Sequence, residues 1–215
     1  MHLLLSIVGA TLLVAAALFP IVNPLGSAII FLGLTEGYER PVRASLARRI
    51  GLNGFLLLLI SMLIGGRVLA FFGVSLPVVQ VAGGLVVIAM GWNMLQKDDS
   101  DPPRSGLAKG DARQQAFYPL TLPLTVGPGS IAVAVTLGAN NQRQAYPWMA
   151  QIISAFLGPL IIAISIYICF RSADRLEKLL GPTGMSVFLR LSSFIVLCIG
   201  IQVLWNGIAA LTHLG

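Results

Sequence analysis

The sequence predicts an all-α membrane protein of six transmembrane helices, arranged as two inverted three-helix repeats whose first and fourth helices are broken. Three observations lead to this prediction. The composition is strongly apolar, because 56% of the 215 residues are hydrophobic and only 10% are charged. Apolar runs of about 20 residues, long enough to cross the hydrocarbon of a bilayer, recur along the chain. Two of these runs carry the same kind of interruption, rich in proline and glycine, in equivalent places of the two halves.

The composition excludes a soluble globular domain. Such domains carry about 25% charged residues, whereas the mean hydropathy here is +0.87. The net charge of +6 does not indicate a nucleic-acid partner, because the basic residues lie in short loops between apolar runs. Membrane topology explains that distribution better.

Charged loops delimit the predicted spans. These are residues 3–34 (broken), 50–72, 77–96, 117–139, 147–170 and 187–212. The first, third and fifth loops hold twelve of the fourteen basic residues, and the opposite side holds only Arg67 and Arg143. The positive-inside rule therefore predicts that these three loops are cytoplasmic and that both termini lie outside, in the periplasm.

An internal repeat divides the chain. The matched segments are 23–27 with 127–130, 66–73 with 174–181, and 83–95 with 192–204, at offsets of 104, 108 and 109 residues. Because each unit has three spans, the second copy enters the membrane from the opposite side. We predict a first repeat in 1–97, a cytoplasmic linker in 98–116 and a second repeat in 117–215. Chance similarity between apolar segments is the alternative explanation.

The interruption in each half resembles the start of a new helix. Asn23 is a preferred N-cap residue and Pro24 suits the first helical position, and Gly127-Pro128 repeats the pattern with a weaker cap. The helices that would follow, 24–34 and 128–138, are each about 16 Å long, or half the hydrocarbon core. Their first amides need partners, which favours an anionic or carbonyl-bearing guest. The predicted binding residues are Asn23, Pro24, Gly26, Ser27, Thr125, Gly127, Pro128, Gly129 and Ser130. A purely structural kink is the alternative.

The sequence gives no sign of an enzyme. All eight acidic residues belong to loops or span ends, and no metal-ligating His-Glu-x-x-His or nucleotide-binding motif is present. We therefore expect no catalytic residues, no metal and no cofactor. Neutral polar residues within the spans suit either Na⁺ coordination or helix–helix hydrogen bonds, of which the second is the commoner role.

Four motifs make the chain similar to the MarC family of bacterial inner-membrane proteins. They are "NPLGS" in the first span, "FGVSLP…VAGGLVV" at 72–87, "PLTLPLTVGPGSI" at 119–131 and "IGIQVLWNGI" near the end. The resemblance covers nearly the whole chain. It implies a six-span plasma-membrane protein related to LysE-type exporters.

Together these features predict an inner-membrane secondary transporter or exporter of a small anionic or zwitterionic solute. The alternative is a membrane scaffold or lipid-handling protein that transports nothing. The expected partners are membrane lipid and a small solute, without nucleic acid, and a homo-oligomer is left open.

Overall fold

The computed structural model describes residues 2–35, 37–96, 112–122, 124–141 and 147–212, and the regular structure within them is entirely α-helical. The helices are α1 (His2–Val22), α2 (Pro24–Leu34), α3 (Arg40–Phe71), α4 (Leu76–Gln96), α5 (Ala112–Phe117), α6 (Pro128–Asn141), α7 (Trp148–Arg171) and α8 (Ala173–Thr212).

Five stretches are long and apolar enough to cross a membrane. They are Leu3–Leu34, Arg40–Phe71, Leu76–Gln96, Trp148–Arg171 and Ser186–Thr212. Their lengths meet the requirement of about 20 residues for a transmembrane helix. The prediction of an all-α, multi-span membrane protein is therefore confirmed.

The predicted span 117–139 is not among these five. Helix α5 ends at Phe117, and turns separate it from α6, which has only 14 residues. In these turns the N–H groups of Leu120, Leu122 and Val126 each donate to a carbonyl five residues earlier. An α-helix uses the carbonyl four residues earlier, so these turns are wider than those of an α-helix. Pro119 contributes no N–H to them. For 117–126, the first half of this broken span, the sequence predicts a helix, whereas the described residues after Phe117 form turns and a bend, so that prediction is wrong. The total of six spans stays a prediction.

Two further boundaries differ from those predicted. Helix α3 begins at Arg40, ten residues before the predicted span, because a helix can continue past the apolar core of the membrane with polar residues. Helix α8 begins at Ala173 and leaves helical geometry at Gly181, where φ is 62°. Of the predicted linker, residues 98–111 lie outside the described residues and residues 112–116 belong to α5.

The buried core lies where α1 and α2 pack against α7. Leu18 and Ile21 of α1 and Phe31 of α2 are almost completely buried. The rings of Phe31 and Phe170 stack with their centroids 4.8 Å apart, which fixes α2 beside the end of α7. Elsewhere α3 packs on α7 and α6, and α4 packs on α8.

Large apolar side chains cover the outside of the long helices. Leu12, Ile60, Leu85, Ile164 and Phe194, one from each of α1, α3, α4, α7 and α8, are all exposed. A monomeric soluble protein rarely exposes large contiguous apolar surface. This surface is instead typical of helices that face lipid.

Glycines bring α4 and α8 into backbone contact. A Cβ atom at Gly91 would lie 2.7 Å from the backbone nitrogen of Leu197, and one at Gly200 would lie 2.7 Å from that of Ile88. The partner numbers fall on one helix as they rise on the other, so the two helices are antiparallel. Small residues at such contacts let membrane helices approach closely.

We predict that Gly91→Ala and Gly200→Ala each destabilise the protein. The new methyl group meets backbone atoms that cannot rotate away, and overpacking of this kind costs about 1–3 kcal/mol. Gly9→Ala is the matched control, because a Cβ atom at Gly9 meets nothing within 4 Å. Thermal unfolding in one detergent measures the effect. Equal unfolding temperatures for the Gly91 and Gly9 variants would contradict the packing described.

Candidate functional site

Asn23 is the junction between α1 and α2. Its backbone has φ 45° and ψ 63°, and it is the one residue other than glycine with positive φ in the described part of the chain. Asparagine tolerates this left-handed conformation better than most residues. Its Oδ1 accepts a hydrogen bond from the Gly26 N–H at 3.1 Å, and Pro24 occupies the first helical turn. The predicted N-cap is therefore confirmed at Asn23.

The other end of the Asn23 amide is unpaired among the described residues. Asn23 is only 6% exposed, and its Nδ2 donates no hydrogen bond to any described atom. The orientation of the amide is set by the bond from Gly26, because only Oδ1 can accept it. A side chain at position 26 would collide with this amide, so a glycine there leaves room for it.

Ser27 joins the first interruption to the second. Its Oγ lies 3.2 Å from the carbonyl oxygen of Val22 and 3.3 Å from that of Leu124. Val22 belongs to the end of α1, whereas Leu124 belongs to the turns that precede α6. The first turn of α2 and the turn before α6 are thus in direct contact.

The second interruption satisfies its own hydroxyl groups. Thr125 Oγ1 donates to the carbonyl oxygen of Leu120 at 2.7 Å, and Ser130 Oγ donates to that of Gly127 at 2.9 Å. The same Gly127 carbonyl accepts the N–H of Ile131 at 3.1 Å. Gly129 lies against α4, since a Cβ atom there would come within 2.6 Å of a methyl carbon of Val87.

Eight of the nine predicted binding residues are buried, and Pro128 is exposed. Burial and the Ser27–Leu124 contact bring the two interruptions together, but the three hydroxyl groups of Ser27, Thr125 and Ser130 are already bonded to backbone carbonyls. Among the predicted binding residues, Asn23 Nδ2 is the side-chain donor that lacks a described acceptor.

Residues outside the predicted set hold the turn before α6 in place. Asn53 Nδ2 of α3 lies 3.4 Å from Thr121 Oγ1, which itself donates to the carbonyl of Ala116 at 2.6 Å. Asparagine and threonine within apolar segments indicate in the sequence that such side-chain hydrogen bonds form. The sequence gives no such indication for the Leu124 carbonyl, because every residue has a backbone carbonyl.

Nothing in the described residues resembles a metal centre, since no group of three His, Cys, Asp or Glu side chains comes together there. The chemistry available at the two interruptions is hydrogen bonding by amides, hydroxyls and backbone groups.

Comparison with known proteins assigns the family. A family model described as "MarC family integral membrane protein" matches residues 8–212. The chain belongs to the MarC family. The chain is 30% identical over 200 residues to "UPF0056 inner membrane protein MarC" of Salmonella paratyphi B, which covers 89% of this chain and 90% of the relative. It is also 30% identical over 201 residues to the Escherichia coli O1:K1 / APEC protein of that name, with the same coverage. No solved structure matches this MarC-family chain.

Membership confirms the resemblance seen in the motifs. The relatives are named as inner-membrane proteins, and this MarC-family chain has several apolar helices of spanning length. It is therefore a multi-pass inner-membrane protein. The relatives' names specify no solute.

We predict that Asn23→Ala destabilises this protein by about 2 kcal/mol, from loss of the cap and the cost of left-handed geometry for alanine. Asn23→Gly is the matched control, because glycine adopts that geometry freely and caps almost as well. We expect it to change the free energy of unfolding by only a few tenths of a kcal/mol. Denaturant unfolding in detergent compares the two. Equal losses would show that backbone conformation at position 23 is not what this residue provides.

Proposed function

We propose that this MarC-family protein is a secondary transporter or exporter of a small anionic or zwitterionic solute, which binds where the two interruptions meet. The observation that carries the proposal is the buried Asn23 Nδ2, which has no acceptor among the described residues and lies near the contact between Ser27 and Leu124. A donor without an acceptor in a buried place costs about 1–3 kcal/mol. A solute that presents an acceptor there recovers that free energy.

The chemistry of this place favours a carboxylate or phosphate as the acceptor. The N-terminus of α2 at Pro24 carries the positive end of the helix dipole, equivalent to roughly half a charge. In the sequence the carboxylates lie in loops or at span ends, so none deep in a span repels an anion. A zwitterion places its carboxylate at Asn23 in the same way.

Helix packing supports an inverted repeat around this site. The offset of 109 residues that aligns 83–95 with 192–204 converts Gly91 into Gly200 and Ile88 into Leu197. The contacts Gly91–Leu197 and Gly200–Ile88 are therefore exchanged by the repeat. The repeat also pairs α3 with α7 and α2 with α6, and the packing of α3 on α6 accordingly matches the packing of α7 on α2. The antiparallel direction of α4 and α8 suits two halves of opposite orientation, with the α5–α6 segment as the fourth crossing.

One observation favours the alternative function, a scaffold or lipid-handling protein. The hydroxyls of Ser27, Thr125 and Ser130 are all bonded to backbone carbonyls, which is what a sealed structural kink requires. Transport needs a second state in which the Ser27–Leu124 contact opens and water reaches the turn. The two functions therefore differ in whether position 27 ever becomes accessible.

We predict that a cysteine at position 27 reacts with a membrane-impermeant thiol reagent from at least one side of the membrane. The Ser27→Cys variant is made in a Cys169→Ala, Cys198→Ala background and labelled in whole cells and in inverted vesicles. The control is Ser154→Cys on α7, since Ser154 is also fully buried. Labelling at position 27 above the control supports an opening site. Equal, negligible labelling at both positions would favour the scaffold.

We also propose that both termini are periplasmic, because twelve of the fourteen basic residues then lie in the cytoplasm. A reporter that is active only in the cytoplasm is fused near Ser105 or after Gly215. We expect activity from the first fusion and none from the second. Activity at Gly215 would reject the six-span arrangement, because six crossings return both ends to one side.

A further inference from the structure

A charged cavity lies at the end of the helix bundle where α3 begins and α7 ends. Its volume is about 400 Å³, and its charged lining consists of Arg40, Arg43, Arg171, Arg175 and Asp174. Four arginines against one aspartate give these walls a net charge of +3. The cavity contains none of the residues around Asn23, so it is separate from the proposed solute site.

One ion pair fixes the walls of the cavity. Arg43 Nη1 lies 2.9 Å from Asp174 Oδ1, which links the start of α3 to the start of α8. The two side chains are only 17% and 35% exposed, so solvent screens this pair less than a fully exposed one. The negative charge of Asp174 is thereby paired with Arg43.

The other three arginines remain available to a ligand. Arg40, Arg171 and Arg175 form no ion pair with a described side chain. The Arg171 guanidinium lies 5.7 Å from the centre of the Tyr167 ring and donates to its hydroxyl, and these contacts orient it. Helix α3, 32 residues long, points its positive N-terminal end at the same space.

We propose that this cavity binds a phosphate-bearing anion. The planar guanidinium group matches the geometry of phosphate oxygens, and several arginines around one concave space are suited to such a group. The positive-inside rule alone does not require this arrangement, because it asks only for basic residues near the membrane ends. Arg48 and Arg49 meet that requirement on the same helix without lining the cavity.

The surface next to the cavity favours a phospholipid headgroup as the source of the phosphate. Ile161, Ile164 and Ile168 of α7 are 40%, 49% and 55% exposed, and their spacing places them along one face of the helix. That face leads to Ser172 in the cavity wall, four residues after Ile168. An acyl chain along these isoleucines brings the headgroup of the same lipid to the arginines. A free phosphate has the same headgroup chemistry but gains nothing from this apolar face.

The test compares Arg40→Gln/Arg175→Gln with the matched control Arg48→Gln/Arg49→Gln. Each variant loses two exposed arginines, and one pair lines the cavity while the other does not. The full-length protein is purified in neutral detergent and stripped of lipid. Native mass spectrometry then measures how much phosphatidylglycerol and how much zwitterionic phosphatidylcholine each protein retains. Thermal unfolding measures whether inorganic phosphate raises the unfolding temperature more than chloride does at equal ionic strength.

We expect wild type and control to bind phosphatidylglycerol in preference to phosphatidylcholine, and the cavity variant to bind it at least roughly tenfold more weakly, since hydrogen bonds to charged groups are among the stronger ones. Stabilisation by inorganic phosphate without lipid preference would identify a soluble anion at the same site. Wild-type protein that prefers neither phosphatidylglycerol nor phosphate overturns the proposal without any variant. So does equal binding by the cavity and control variants.

Discussion

The left-handed turn at Asn23, closed by the hydrogen bond from the Gly26 N–H to Asn23 Oδ1, is the constraint on which the first interruption depends. A helix that begins inside an apolar segment leaves its first amides without partners, and hydrocarbon supplies none. The Asn23 side chain satisfies one of them, at 3.1 Å, while its left-handed backbone lets α1 end and α2 begin within a single residue. The same bond fixes which end of the amide is the donor. The Nδ2 is therefore the end of the amide that lacks an acceptor among the described residues.

The sequence predicted those features that side-chain chemistry encodes. An Asn-Pro pair predicts an N-cap followed by a first helical turn, and the structure has both at Asn23 and Pro24. The repeat aligns Gly91 with Gly200 at an offset of 109 residues, and the structure places each of them against the backbone of the other helix. Apolar runs predicted the long helices. Hydropathy did not predict the start of α3 at Arg40, because a helix continues beyond the membrane wherever its backbone hydrogen bonds remain favourable.

Backbone geometry and long-range pairing were beyond the reach of the sequence. Hydropathy does not distinguish an α-helix from the wider turns around Leu120, because the same residues fill both. The Leu124 carbonyl acquires its role only through a serine 97 residues earlier in the chain. The pair Arg43–Asp174 likewise joins the starts of α3 and α8, which no local sequence pattern connects. Such features arise when elements pack together, and one sequence without its fold does not specify which elements meet.

The central claim is that Asn23 Nδ2 donates to a transported solute, and a metabolite comparison tests it most directly. Cells with the protein, cells without it and cells with Asn23→Asp are compared for internal and external metabolites at equal protein levels in the membrane. Aspartate keeps an oxygen that accepts the Gly26 N–H but replaces the donor with a negative charge, which repels an anionic acceptor. The account predicts that a carboxylate- or phosphate-bearing compound is redistributed by the wild-type protein and not by Asn23→Asp. Identical metabolite profiles with and without the protein, or full redistribution by Asn23→Asp, would contradict it.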